Sequence, residues 1–259
     1  MSLLGAEWIK LWSLRSIRWV IVVGVLVLVA LAVQSSLDAY AEWPAFRARE
    51  KAMFNPMTEA FSGFSAIVVM IGAGSVGALT VAGEYASGLI RTTFTAVPAR
   101  GRVMAAKVVV VAGVMLAVGA VVALTTYGVS QVILSGRGAG ASIGDPGVVR
   151  VLVANALLAP VSALVGMGIG ALLRHTAATV VAVCGVLVIL PTLFKPTVHQ
   201  WANDLYAMFP FYAWRTCLSL IHPRDEAALP TITGSWIAFA LWPLVAAAVT
   251  LVVVRRRDV

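Results

Sequence analysis

Six long apolar runs set the pattern of the chain: Trp19–Val33, Phe61–Ala82, Val108–Leu134, Val151–Leu173, Ala177–Phe194 and Trp236–Val254. A helix that crosses the hydrocarbon core needs about 20 mostly apolar residues. The first run is short, and extends to that length as 17–36. The runs are continuous, whereas a transmembrane barrel would show ~10-residue alternating segments. No stretch between them is long enough for a separate soluble domain, so one transmembrane domain over residues 1–259 is expected. Its spans are read as 17–36, 61–82, 108–134, 151–173, 177–194 and 236–254. The fold class is all-α: a polytopic membrane protein with six transmembrane helices.

The segments between the runs carry their own patterns. In residues 2–16, Leu4, Trp8, Leu11 and Trp12 share one helical face, and Glu7, Lys10 and Ser13 lie away from it. This predicts an N-terminal helix lying in the membrane interface, with its tryptophans at headgroup depth. It serves as an anchor, or it also turns its polar face to a partner. Between the second and third runs, Glu84, Gly88, Arg91 and Thr95 fall on one face of a helix over 84–97, with Ala86, Ile90, Thr93, Phe94 and Val97 opposite. Pro98 ends that helix, and Arg100 and Arg102 follow at the membrane boundary. Read from the residues alone, it is a solvated interfacial helix or a handle for a partner. Residues 34–60 read as a solvated loop with a short helix, and 135–150 as a glycine-rich turn.

The segment before the last run is dense in aromatics: Phe194, Trp201, Tyr206, Phe209, Phe211, Tyr212 and Trp214, broken by Pro191, Pro196 and Pro210. It predicts short interfacial or re-entrant helices, because such a segment avoids bulk water and because irregular backbone at membrane depth must be buried in protein or line a cavity. The residues form an aromatic belt, or Tyr206, Phe209, Phe211, Tyr212 and Trp214 form an outer gate for an apolar substrate.

Charge orients the chain. Only 12% of residues are charged, against roughly 25% in a soluble domain. With the N-terminus inside, the inner segments hold eleven Lys and Arg against three acids, and the longer outer segments hold eight of each sign. The positive-inside bias therefore favours both termini inside. Nucleic-acid binding is set aside, because the positive charge follows the membrane boundary instead of gathering in a domain. Ala30-Leu31-Ala32 imitates a signal-peptide cleavage site, but the amphipathic lead is long for such a peptide, and an uncleaved first span is expected. Cys184 falls in a span and Cys217 in the last outer loop, as two ordinary thiols.

Few motifs carry chemistry. Gly72-Ala-Gly74-Ser-Val-Gly77 matches G-x-G-x-x-G, yet it sits inside a run of span length and has no parallel sheet to join. Small residues that let helices pack closely explain it better, as they do Gly166, Gly168 and Gly170. No P-loop occurs, and His175, His199 and His222 lack neighbours at metal-ligand spacing. No catalytic, cofactor-binding or metal residue is assigned. The interiors of the spans hold no Asp, Glu, Lys, Arg or His, which argues against an ion-coupled carrier and against intramembrane proteolysis.

The segment Gly83-Glu84-Tyr-Ala-Ser-Gly88-Leu-Ile-Arg91-Thr-Thr, followed by Pro98-Ala-Arg100 and by Ala105-Ala106-Lys107 opening a span, resembles the loop between the second and third spans of bacterial ABC-2 type permeases. The layout resembles that family over essentially the whole chain, including Glu7-Trp8-x-Lys10-Leu11 in the lead helix. Leu89 departs from it, standing where family members often have a small polar residue. The resemblance implies the membrane subunit of an ATP-binding-cassette exporter in the bacterial cytoplasmic membrane. It implies that the 84–97 segment is a coupling helix that docks, through Glu84, Gly88, Arg91 and Thr95, into a separate ATPase subunit. A second permease subunit, identical or related, would pair with the chain. ATP and Mg would be bound by the ATPase partner, so the chain itself would not be an enzyme. The substrate expected is amphipathic or apolar: a drug, lipid or peptide. The reading from a different class is a membrane scaffold or assembly factor that docks a cytoplasmic partner without transporting anything.

Overall fold

Apolar runs of this length satisfy their backbone hydrogen bonds only as helices when water is absent, and helices are what the computed structural model shows. It describes residues 2–96, 99–194, 200–218 and 231–256, and none of these forms a strand. The elements in order are α1 (Leu3–Ser13), α2 (Arg15–Glu42), α3 (Ala48–Met53), α4 (Pro56–Ala60), α5 (Gly63–Ala86), α6 (Leu89–Ala96) and α7 (Arg100–Ser135). Then come α8 (Val148–Leu173), α9 (Thr176–Cys184), α10 (Leu190–Leu193), α11 (Gln200–Ala207), α12 (Pro210–Leu218) and α13 (Ile232–Arg256). A π-helical turn over Gly185–Ile189 joins α9 to α10. Among the described residues, six helical stretches are long and apolar enough to cross a membrane: Arg15–Ala45, Gly63–Ala86, Arg100–Ser135, Val148–Leu173, Thr176–Leu193 and Ile232–Arg255. The all-α polytopic class expected from the runs is the class observed.

The helices overrun the apolar segments that define them. α2 continues to Glu42, past the end expected near 36, and α7 begins at Arg100 and not near 108. The residues added at the start of α7 include Arg, Met, Ala and Lys, all good helix formers, and their one glycine, Gly101, falls in the first turn. Length is thus set by propensity and pairing as well as by hydropathy.

α8 is the hub. It packs against α5, α7 and α13, and α5 and α7 also hold α2. The α5–α8 interface is built on missing side chains. A Cβ placed on Gly77 would run into the Ala163 carbonyl, and one on Gly166 into the carbonyl of Gly74. On the neighbouring faces, a Cβ on Gly168 would stand 3.2 Å from the Ala246 backbone of α13. Close backbone approach of this kind is how membrane helices gain packing energy when lipid offers no hydrophobic drive. The G-x-G-x-x-G match therefore lies within helix α5 as a packing surface, with no strand before it.

α1 and the last turn of α13 sit at the same end of the bundle. Glu7 of α1 and Arg255 of α13 each meet the first turns of α7. The residues that position the candidate site lie at that end.

Candidate functional site

A charge at the end of an apolar helix either reaches water or finds a partner. Four charges here find each other. Glu7 on α1, Glu84 at the end of α5 and Lys107 near the start of α7 are 4%, 8% and 3% exposed, and Lys10 of α1 joins them. The Lys107 ammonium donates to Glu84 Oε1 at 2.8 Å and to Glu7 Oε2. The Lys10 ammonium lies 2.9 Å from Glu7 Oε1 and 3.3 Å from Glu84 Oε1. Two carboxylates alternate with two ammoniums, so the formal charges cancel. That is the arrangement under which buried charge is tolerable. Lys10 Nζ also donates to Thr93 Oγ1 of α6 at 3.1 Å. One network thus touches α1, α5, α6 and α7. Beside it lies a cavity of about 210 Å³, lined by both acids, both lysines and, among others, Ser16 and Thr80. Glu84 Oε2 is buried with no hydrogen-bond partner among the described residues.

Burial opposes the Lys10 charge, but its hydrogen bond to Glu7 and the charges of Glu84 and Glu7 outweigh that, so its pKa rises above the ordinary 10.5. For a base whose folded pKa is raised, the stabilisation is whole below the unfolded pKa and is lost as pH climbs through the folded one. Lys10 therefore holds its pairing unchanged through the neutral range.

This network revises two expectations about the inner end. Glu7 and Lys10, the polar side of α1, are expected to lie away from its apolar stripe and to face water or a partner; they turn into the protein. The apolar Leu4 and Trp8 are the exposed residues. The reason is that Glu84 and Lys107 offer α1 a charged surface to dock on. The spans also do hold ionisable groups once their true ends are drawn, since Glu84 belongs to α5 and Lys107 to α7.

The single helix expected over 84–97 is two elements. α5 carries on through Glu84 to Ala86, and the chain then turns at Ser87 and Gly88, where φ is +71°. Glycine takes that left-handed conformation without steric cost. The Ser87 hydroxyl donates to the Gly83 carbonyl at 2.8 Å and closes the end of α5. α6 follows as a separate helix. Glu84, Gly88, Arg91 and Thr95 therefore do not form one helical stripe: Glu84 is buried in α5, Gly88 is the exposed turn, and Thr95 is exposed on α6. The Arg91 side chain, and Val97 and Pro98, lie outside the described residues. The opposite face is as expected in part, with Ile90 and Phe94 buried against Leu11 and Val103.

At the other end of the bundle, the aromatic segment forms the short helices α11 and α12. Trp214 is 1% exposed, and its indole N–H donates to Asn155 Oδ1 of α8 at 2.9 Å. Phe209 is buried beside Phe194 and Trp242, while the Tyr206 and Tyr212 rings stack at 3.5 Å. Phe211 packs on Trp214. The five candidate gate residues are thus brought together, with Phe209 and Trp214 in the core and Tyr206, Phe211 and Tyr212 half-buried. Pro196 and His199, in the same segment, and His222 lie outside the described residues.

Cys217, expected in a loop, is in α12 and fully buried. Burial pushes its thiol up to about 11, against a small opposing pull from Arg150. A thiol protonated and covered in this way reacts slowly. In a Cys184→Ala background, Cys217 should resist aqueous maleimide at pH 7.5 and label only after denaturation. Rapid labelling of the native protein would place α12 elsewhere.

Between α2, α5, α7 and α8 lies an apolar crevice of about 60 Å³, reached by Gly24, Gly72, Met115 and Gly119. Asn155 is its one polar side chain, already engaged by Trp214 and by the Val151 carbonyl. No protein-family model matches the chain, and no curated protein matches it.

Proposed function

We propose that the chain is the membrane-spanning permease subunit of an ABC transporter of the ABC-2 type, exporting an amphipathic or apolar substrate. The observation that carries this reading is the joint at one end of the bundle. α6 is a short helix set off behind a Gly88 turn and tied through Thr93 to Lys10, which pairs with Glu7 of α1 and Glu84 of α5, both in turn paired with Lys107 of α7. A push on α6 has a polar route into two spanning helices and the interfacial helix. The apolar crevice, with a single satisfied polar group, suits a substrate without charge.

In this reading ATP and Mg bind a separate ATPase subunit, which closes against α6. Two permease subunits, identical or related, flank the path, and the aromatic helices α11 and α12 stand at its outer mouth. The end that holds α1 and Arg255 faces the cytoplasm of a bacterial plasma membrane, because the Lys and Arg excess lies on that side. Glu84 acts here from inside the joint, and the surface offered to the ATPase is Arg91 and Thr95 of α6 with the Gly88 turn.

The test is co-purification in mild detergent from native cells, with mass spectrometry of the eluate, followed by flux measurements in proteoliposomes. The expected result is a stoichiometric P-loop ATPase, lost on Arg91→Ala with Thr95→Ala, and substrate efflux that needs ATP. A chain that elutes alone or with a non-ATPase, and that moves no substrate, would overturn the reading in favour of a membrane scaffold.

A further inference from the structure

We infer that Arg100, Arg102 and Arg255 form a binding site for the phosphate of an anionic phospholipid. These arginines come from two helices and gather around one glycine. Ala99, Arg100, Gly101, Arg102 and Arg255 enclose an open cleft of about 330 Å³ where α7 begins and α13 ends. Gly101 makes the gathering possible. A Cβ there would lie 2.8 Å from Arg255 Cζ and nearer still to its Nε, so the bare backbone gives the guanidinium its place. Arg100 is held by the face of Phe94 at 5.4 Å, a contact that orients it without neutralising it.

Among the described residues these charges have no counter-charge. Every ion pair among the described residues belongs to the Glu7–Lys10–Glu84–Lys107 network, and none reaches these three arginines. The cleft also lies at the start of α7, whose N-cap residue Ala99 makes no side-chain hydrogen bond. The partial positive charge of that helix end adds to the same field. Three arginines around one cleft, with a helix N-terminus beside them, call for an anion, and the fork of an arginine fits a phosphate geometrically.

Depth favours a lipid as its source. α7 has 36 residues and so extends about 54 Å. The hydrocarbon core is about 30 Å thick, so a helix of this length runs out of the core and through the headgroup layer. Arg255 follows directly on Leu251-Val-Val-Val254, the last apolar turn of α13. A phosphodiester anchored in the leaflet lies at that level, and a dissolved anion has no such constraint.

The test uses the full chain in nanodiscs made from equal amounts of phosphatidylglycerol and phosphatidylcholine. Lipid retained on release into the gas phase is counted by native mass spectrometry. A basic residue near an anionic headgroup is worth about fivefold in affinity. The wild type should keep phosphatidylglycerol in preference to phosphatidylcholine. Each of Arg100→Gln, Arg102→Gln and Arg255→Gln should lower that preference about fivefold, and the triple variant should abolish it. Gly101→Ala should also lower it by displacing the Arg255 guanidinium while all the charges remain. Equal preference in wild type and triple variant would overturn the site, as would displacement of the lipid by millimolar inorganic phosphate, which would mark a free-anion site instead. Arg102 and Arg255 are exposed, so their variants should fold, and unchanged thermal midpoints check it. The readout is binding alone, so its outcome is separate from whether the chain transports anything.

Discussion

Lys107→Met should destabilise the folded protein by about 3–5 kcal/mol. Lys107 is 3% exposed and stands between Glu7 and Glu84. Without it, two buried carboxylates face each other with Lys10 alone to balance them. Breaking a buried pair by removing one partner costs about 3–5 kcal/mol, because an uncompensated charge stays behind. That is a large share of the roughly 5–15 kcal/mol that holds a typical protein folded. The cause is the stranded charge, so removing a carboxylate as well should restore stability. Lys107→Met with Glu84→Gln leaves the Glu7–Lys10 pair intact, at 2.9 Å, with no carboxylate unpaired. The double variant should be more stable than Lys107→Met alone, a coupling that a double-mutant cycle measures directly. The measurement is the thermal midpoint of the purified variants in detergent, with monodispersity as a check. A wild-type midpoint for Lys107→Met, or strictly additive effects in the double, would show that the four charges do not act as one network.

The sequence states some of this plainly and conceals the rest for physical reasons. The spans are legible, because a run of twenty apolar residues has one stable form in lipid. The role of the glycines in α5 and α8 is legible too, since a span has no other use for G-x-G-x-x-G. The ion network is not. Glu7, Lys10, Glu84 and Lys107 each sit at the edge of an apolar run, where a charge ordinarily reaches water, and a count of charges by side files them as loop residues. What could have flagged them is their balance: two acids and two bases at the same end of three neighbouring helices, among segments otherwise dominated by Arg. The 84–97 segment misleads for a related reason. Its polar spacing fits one helical face, but periodicity carries no information about the left-handed turn that Gly88 takes. The aromatic helices lie between these cases. Their existence follows from composition, whereas the burial of Trp214 depends on Asn155, a residue 59 positions away on another helix and invisible to any local pattern.

Gly77→Ala should destabilise the bundle while Gly72→Ala, five positions earlier on the same helix, should not. The two glycines belong to one motif and differ only in what they face. A methyl on Gly77 meets the Ala163 backbone, its carbonyl oxygen, carbon and Cα together, and no rotamer change can relieve that. The helices α5 and α8 would have to separate along their whole contact, which also sets Gly166 against Gly74. Overpacking of a tight core costs about 1–3 kcal/mol, and more where backbone must move. A methyl on Gly72 meets nothing within 4 Å. There the substitution exchanges glycine for the best helix former, a change worth up to about 1 kcal/mol in favour of the helix. The midpoints of the two variants should therefore move in opposite directions in the same detergent. If Gly77→Ala were as stable as Gly72→Ala, the α5–α8 contact would be looser than the glycines imply. A tight contact has a mechanical consequence as well. With α8 locked to α5, any displacement that enters through Glu84 at the end of α5 passes to α8 as a rigid body, and from α8 to α7 and α13, which pack on it.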